Sequence, residues 1–410
     1  MSFHPIQLVA YLLAAVLGNL WLATLLAVPL VRPREARTRA RLWGSGIAGV
    51  VAMWFAVFAM GQYRSEDGFL LLVLYLPVQA LVTTRQFFRY NRQRGRPVSW
   101  RRLLTGNLLV LGMLMTSGLA IGEVWFRFGR DTTDSIGYTK IAQRWLARHY
   151  VLNSHGFRDN VEYALPRVAG KRRISFFGDS FTAGHGIDDV DQRFANRIRR
   201  ARPEWDVHVA ARNGDDTGAA IRNLTLAMAN GYAVDQVVLV YCLNDIQDLA
   251  TGWQATADLA KQRAETRWGA FGDSYFLDTL YYRVAISSLP GIGDYFSSLR
   301  DAYRGPVWEQ QQQRFLQFRE VVQKAGGTLR VVTWPFLHAL GEDYQHEEAH
   351  AQLGQFWRQQ GIEHLDLLPL LREYPSAKLT VNAFDAHPNE FASELAAVAI
   401  ERWLAGLVGK

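Results

Sequence analysis

Four long apolar runs occupy most of the first third of the chain. They cover residues 6–31, 42–63, 68–84 and 103–126, and no charged side chain lies in the middle of any run. A helix needs about 20 apolar residues to cross the hydrocarbon core of a bilayer, so three runs are long enough and the third is short. Helices of soluble proteins normally carry a polar face, which these runs lack. We therefore predict a four-helix transmembrane region over residues 1–130.

The arginines between these runs predict an orientation. Residues 1–130 contain 15 Arg, no Lys and four acidic residues, and most of the arginines lie in the first and third connections between runs. Basic connections stay on the cytoplasmic side of a membrane. The N-terminus and everything after Phe126 are then extracytoplasmic, in the periplasm if the protein is bacterial. No Lys or Arg precedes the first run, so a cleaved signal peptide is not expected.

The hydrophobic pattern changes from Lys171 onward, where short apolar or β-branched segments alternate with amphipathic ones. Alternation of strands and helices is typical of a doubly wound α/β fold with a parallel sheet, which binds ligands at the carboxyl ends of its strands. The predicted strands cover residues 173–177, 206–211, 236–241, 329–334 and 362–367.

We predict a linker and lead-in over residues 131–170, followed by the α/β domain over residues 171–410. Residues 246–306 interrupt the alternation with aromatic, partly helical sequence and are predicted to be an insertion. A cap over the site, a membrane-facing excursion and a plain scaffold element all fit this insertion.

Composition excludes several classes of protein. With 49% hydrophobic and 20% charged residues the chain is expected to fold. The single cysteine, Cys242, excludes an intramolecular disulfide framework and a cysteine-rich zinc module. The net charge of +7 is smaller than the excess of Arg over acidic residues in the first 130 residues, so the remainder is acidic. A nucleic acid is therefore not an expected partner.

Polar motifs follow the first three predicted strands, and another lies near the C-terminus. A serine at a strand end, a histidine that accepts its proton and a carboxylate that holds the histidine are the parts of a nucleophilic serine site. The four motifs are Gly178-Asp179-Ser180, Asn213-Gly214, Leu243-Asn244-Asp245 and Asp385-Ala386-His387.

In these motifs and their order, residues 171–407 resemble the SGNH, or GDSL, hydrolase family. The resemblance implies a flavodoxin-like doubly wound parallel sheet, with Ser180 as nucleophile, His387 as base and Asp385 as the partner of His387. It also implies an oxyanion hole formed by the N–H groups of Ser180 and Gly214 and the side-chain amide of Asn244. No cofactor and no metal are implied.

The chain departs from the family pattern in two places. Cys242 stands where the family often has glycine, and Asp385-Ala386-His387 has the spacing Asp-x-His in place of the commoner Asp-x-x-His. An upstream stretch, Asn153 to Asp159, looks like the lead-in of membrane-associated members, and we interpret it as structural.

We interpret the chain as a membrane-anchored, extracytoplasmic serine esterase that acts on acyl esters, O-acetyl esters among them. Its expected partners are the lipid bilayer and an ester-bearing lipid, glycan or small molecule. One alternative is an O-acyltransferase that modifies an envelope glycan with the same triad. Another is a non-catalytic SGNH-like binding module, for which Cys242 is the best argument.

Two further motifs offer rival sites. Gly272-Asp273-Ser274 repeats the letters of the first motif, but no hydrophobic strand precedes it, so we interpret it as a decoy. His346-Glu347-Glu348-Ala349-His350 fits H-E-x-x-H, which on a helix could hold zinc with Glu347 as base and with Glu363 or Glu373 as a third ligand. Its polar surroundings favour a charged surface helix instead.

Overall fold

The computed structural model describes residues 99–250, 253–266, 270–286, 288–289, 291, 294–341 and 343–406, and scattered positions between 66 and 92. The chain divides into two units. The first comprises Met1–Arg130 with Thr266–Tyr281, and the second comprises Asp131–Glu265 with Tyr282–Lys410.

The helices are numbered here in chain order. In the first unit they are α1 (Trp100–Val124), α7 (Ala270–Asp273) and α8 (Tyr275–Tyr281). In the second unit they are α2 (Lys140–His149), α3 (Ser180–Ala183), α4 (Phe194–Ala201), α5 (Thr217–Ala229), α6 (Trp253–Glu265), α9 (Tyr295–Ala302), α10 (Gly305–Lys324), α11 (Glu347–Gln359), α12 (Leu368–Leu371), α13 (Ser376–Leu379) and α14 (Glu390–Leu404).

The first unit contains a long apolar helix. Helix α1 continues into a π-helical segment, Trp125–Gly129, and the 30 residues of Trp100–Gly129 are long and apolar enough to cross a membrane. Its apolar side chains are largely exposed, with Leu108 at 58% and Met115 at 67%. A continuous apolar helix whose side chains are largely exposed within the described part of the chain matches what a bilayer accommodates.

The predicted four-span region is not supported beyond this one helix. Among the described residues α1 and its extension form the one candidate span, which covers the predicted run 103–126. The runs at 6–31 and 42–63 lie outside the described residues, and the run at 68–84 is described only in part, at positions that are helical. Multi-pass topology and the extracytoplasmic orientation therefore stay predictions.

The predicted insertion at 246–306 is divided between the two units. Residues 266–281 group with the first unit, because the carboxylate of Glu123 on α1 accepts hydrogen bonds from Ser274 Oγ at 2.6 Å and from the N–H of Phe276 at 3.1 Å. Helices α6 and α9, with a π-helical segment at Tyr282–Ile286, remain in the second unit.

The second unit is built on a parallel sheet, as the sequence predicts. Five strands pair in the order β2-β1-β3-β4-β5, all parallel. They are β1 (Arg172–Gly178), β2 (Trp205–Ala211), β3 (Gln236–Cys242), β4 (Thr328–Trp334) and β5 (Glu363–Asp366). Every residue of β3 is buried, because helices cover both faces of the sheet.

Helices pack in two layers, α5 with α10 and α4 with α14, around the buried core. An antiparallel hairpin of β6 (Thr380–Asn382) and β7 (Asp385–Pro388) precedes α14. The strand order reverses between β1 and β3, and such a switch point forms a crevice at the carboxyl ends of the strands. Ser180 and Asn244 follow those two strand ends.

Candidate active site

The nucleophile candidate, Ser180, lies directly after β1 as the first residue of α3. Asp179 caps this helix by accepting the N–H of Phe181 at 2.9 Å, so the N–H of Ser180 itself has no partner inside the helix. Gly178 is required before this turn, because a Cβ there would lie 2.5 Å from the carbonyl oxygen of Val240. The strand end therefore presents both the hydroxyl and the N–H of Ser180 to the crevice.

The structure brings His387 and Asp385 to Ser180. Nε2 of His387 lies 2.8 Å from Oγ of Ser180, and Nδ1 lies 2.5 Å from Oδ1 of Asp385. Both residues belong to strand β7, where residues two apart point to the same side. Because the motif is extended, the short Asp-x-His spacing places both side chains on the same side of the strand.

Burial and charge shift the pKa values of this pair. Burial alone lowers the pKa of His387, but the Asp385 carboxylate and its hydrogen bond outweigh burial, and the net pKa is raised. Burial raises the pKa of Asp385, yet interaction with His387 brings it down to about 2. Asp385 is therefore ionised at neutral pH and stabilises the imidazolium form of His387.

Two of the predicted oxyanion donors follow β2 and β3, the strands on either side of β1. Gly214 follows β2 with φ of +81°, which glycine adopts readily, and its N–H meets no acceptor among the described residues. Asn244 follows β3, and its Nδ2 donates to Oδ2 of Asp179 at 3.2 Å. An amide nitrogen has two hydrogens, so this bond fixes the orientation of Asn244 and leaves the second hydrogen for a ligand.

Cys242 is fully buried at the end of β3, and burial raises the pKa of its thiol well above the ordinary value. A protonated, buried thiol is neither a nucleophile nor a metal ligand. Cys242 thus adds no chemistry of its own to the site.

Sequence reasoning missed two residues around Asp385. Thr133 donates its hydroxyl to Oδ2 of Asp385, and Nε2 of His185 lies 3.5 Å from the same oxygen. His185 has a pKa lowered to about 4 by burial and by His387, so it is neutral. His185 lies five positions after Ser180 and could have been noticed in the sequence, whereas nothing in the sequence connects Thr133 to a residue about 250 positions away.

Two residues of the stretch 153–159 make buried contacts around the turn after α3. Arg158 is fully buried and donates to the carbonyl oxygens of Gly184 and Ile187 in the turn after α3. Asp159 accepts from Arg199 at 2.7 Å and from Arg193 at 3.1 Å. These contacts hold the turn that follows Ser180 and α3.

In the rival zinc motif Nδ1 of His346 has no hydrogen-bond partner among the described residues, but His350 is not a free ligand. Nδ1 of His350 bonds Asp366 at 2.9 Å and Nε2 bonds the Tyr344 hydroxyl at 3.1 Å, so both ring nitrogens are engaged. Among the described residues, His185, Asp385 and His387 form the one group whose potential ligand atoms lie within 4.8 Å of one another. Its histidines are also engaged at both nitrogens, His185 by the Asp134 carbonyl and the Asn213 amide.

The second Gly-Asp-Ser sequence forms a helix cap in the first unit. Ser274 Oγ donates to Glu123 and accepts the N–H of Leu277 at 2.9 Å, at the start of α8. Its hydroxyl is thus bonded to a carboxylate and a backbone N–H, and no histidine is among its hydrogen-bond partners in the described part of the chain.

Comparison with known proteins gives distant similarities to solved structures alone. No family model matches the sequence, and no curated protein matches it. Among solved structures, a member of the lipolytic G-D-S-L family from Veillonella parvula is 13% identical with a TM-score of 0.34, covering 57% of this chain and 97% of its own. A lipase/acylhydrolase from Enterococcus faecalis is 16% identical with a TM-score of 0.34, covering 57% and 96%.

A salicylyl-acyltransferase from a tetracycline biosynthetic pathway is 14% identical with a TM-score of 0.32, covering 59% of this chain and 57% of its own. Similarities at such identities and TM-scores do not establish a reaction. The chemistry of this chain has to be inferred from the geometry of its own site.

Proposed function

We propose that this chain is a serine esterase of the SGNH type, with Ser180 as nucleophile, His387 as general base and Asp385 as the partner of His387. One observation carries the proposal. A single imidazole ring lies 2.8 Å from the Ser180 hydroxyl on one side and 2.5 Å from a buried carboxylate on the other. This is the geometry that proton transfer from a serine requires, and it favours an enzyme over a binding module.

In the first half-reaction, Oγ of Ser180 attacks the ester carbonyl and its proton passes to Nε2 of His387. The oxyanion accepts hydrogen bonds from the N–H groups of Ser180 and Gly214 and from the amide of Asn244. Collapse of the tetrahedral intermediate expels the alcohol, which takes the proton from His387, and leaves the acyl group on Ser180.

In the second half-reaction, His387 accepts a proton from water, which attacks the acyl-enzyme. The same donors stabilise the second oxyanion, and the proton on His387 returns to Ser180 as the carboxylic acid leaves. Asp385 stays ionised throughout, because its pKa of about 2 lies far below neutral pH.

We further propose that α1 anchors this site at the extracytoplasmic surface of a membrane. The arginine-rich connections before α1 support a cytoplasmic position for its N-terminal end. An enzyme in that place meets acyl esters of envelope glycans and lipids, and O-acetyl esters are the smallest of these.

The test is hydrolysis of p-nitrophenyl acetate by the full-length protein in detergent micelles. We expect turnover that disappears in Ser180→Ala and persists in Ser274→Ala, the matched control from the second Gly-Asp-Ser sequence. Turnover that survives in Ser180→Ala would show that another group performs the reaction. A folded protein without turnover on esters of any length would favour the binding module.

The O-acyltransferase alternative uses the same acyl-enzyme, and product analysis separates the two. Adding a sugar acceptor diverts the acyl group from water only if the acceptor binds beside Ser180. Acetate as the main product supports the esterase, and acetylated sugar in excess of acetate supports the transferase.

A further inference from the structure

The environment of Asp385 extends beyond its bond to His387. Asp385 is 1% exposed, and a buried carboxylate requires hydrogen-bond donors on both oxygens. Oδ1 serves His387, through the ring and through the N–H of that residue at 3.1 Å. Oδ2 accepts from the Thr133 hydroxyl, with His185 farther away at 3.5 Å. Thr133 is therefore the close donor that fixes the second oxygen.

Thr133 belongs to a segment that docks onto the catalytic hairpin. The N–H of Ser135 donates to the Phe384 carbonyl at 3.0 Å, and the Ser135 hydroxyl accepts the N–H of Ala386 at 3.0 Å. The Asn382 amide donates to the Thr132 hydroxyl at 2.8 Å and to the Thr133 carbonyl at 3.0 Å. Residues 132–135 thus run beside the turn between β6 and β7 and bond to both sides of it.

The hairpin needs such support. Strands β6 and β7 have three and four residues, and a two-stranded hairpin of this size is barely stable alone. Asp134 makes the supporting segment rigid, since its carboxylate accepts from the N–H groups of Gly137 at 2.7 Å and Thr139 at 3.0 Å. Its carbonyl accepts from His185 at 3.1 Å.

We infer that residues 132–135, the segment that follows the apolar helix, complete the catalytic site, and that Thr133 is a positioning residue that holds Asp385 in place for His387. The inference rests on the proposed function, because it assigns Thr133 a role through Asp385. Thr133 does not touch the substrate. The apolar helix ends at Gly129, so the hydroxyl that orients the catalytic carboxylate lies four positions beyond the membrane anchor.

The test compares Thr133→Val with Thr133→Ser in the full-length protein. Valine keeps the shape of threonine and removes the donor, whereas serine keeps the donor. We expect Thr133→Val to lower kcat for p-nitrophenyl acetate, and the rate constant of fluorophosphonate labelling, by about tenfold, because a hydrogen bond to a charged group is lost. KM should stay within a factor of about two, and Thr133→Ser should restore most of both rates.

A control in the same segment distinguishes the hydrogen bond from Thr133 to Asp385 from the general docking of residues 132–135 onto the hairpin. Thr132→Val removes an acceptor of Asn382 and leaves Asp385 untouched, so its loss should be clearly smaller than that of Thr133→Val. Equal losses at the two positions, or no rescue by serine, would overturn the role of Thr133. If Thr133→Val does not fold, the decision passes to Thr133→Ser and Thr133→Ala, where the same ordering is required.

The design also separates the two proposals. If labelling of the parent depends on Ser180 but Thr133→Val is labelled at the parental rate, this inference alone is overturned. A parent whose labelling does not depend on Ser180 overturns the proposed function and this inference with it.

Discussion

The chain contains Gly-Asp-Ser twice, at 178–180 and at 272–274, and the two serines lie in different surroundings. Ser180 follows a buried strand at a switch point of the sheet, and its hydroxyl faces the imidazole of His387 at 2.8 Å. Ser274 starts a helix in the other unit, and its hydroxyl bonds the Glu123 carboxylate at 2.6 Å. The same residues serve as a nucleophile candidate or a helix cap according to the element before them.

The largest expected effect separates these two serines. Ser180→Ala should reduce ester turnover by roughly a millionfold, to the background left by the other groups of the site. Ser274→Ala should leave turnover unchanged and lower the thermal stability of the first unit, because hydrogen bonds to charged groups contribute roughly 1.5–3 kcal/mol. Turnover assays and thermal melts are carried out on both variants. Loss of turnover in Ser274→Ala with turnover retained in Ser180→Ala would contradict the roles proposed for the two serines.

The second effect concerns Asn244, the proposed oxyanion donor beside Ser180. Asn244→Ala should lower kcat by about 100- to 1000-fold, as loss of one oxyanion donor does. Because Asn244 also donates to Asp179, the fold of the variant is checked by circular dichroism. Unchanged kcat in a folded variant would remove Asn244 from the mechanism.

The third effect is a pH dependence of turnover, which comes from His387, the histidine bonded to Ser180. The general base must be neutral, and the pKa of His387 is raised above its ordinary 6.5, so kcat/KM should fall as the pH drops through a value above 6.5. In Asp385→Asn the raising interaction is gone, burial dominates, and the acid limb should move to lower pH with a much reduced rate. A parent profile that is flat down to pH 6 would contradict the pairing of His387 with Asp385.

The smallest effect is expected at Cys242. Its thiol is buried and protonated, so iodoacetamide should not inactivate the native enzyme, and Cys242→Ala should retain parental turnover. Rapid inactivation at neutral pH would mean that the oxyanion side of the site opens to solvent.

The centre of the sheet could be predicted because β3 is covered on both faces and β1 is buried after its first residue, so both are largely apolar. The segment Gln236–Cys242 is recognisable as a central parallel strand from its valines alone. Ser180, Gly214 and Asn244 follow successive predicted strands. Their position at one edge of the sheet could also be predicted, since parallel strands bring their carboxyl ends to one edge.

The supporting residues could not be predicted in the same way. Thr133 reaches Asp385 across about 250 positions, and no periodicity encodes such a contact. In the sequence, the Asp-x-His spacing departs from the commoner family pattern. Its geometry depends on β7 being extended, and a strand of four residues is too short to be predicted from its sequence pattern. The four apolar runs read as four spans on length and charge alone, while the described structure contains one candidate span.

The most direct measurement is to label the full-length protein with a fluorophosphonate and map the adduct by peptide mass spectrometry. The account predicts a single adduct on Ser180, lost in Ser180→Ala and retained in Ser274→Ala. An adduct on Ser274 or on another serine, or a folded protein that resists labelling while hydrolysing esters, would contradict the assignment of Ser180 as the nucleophile.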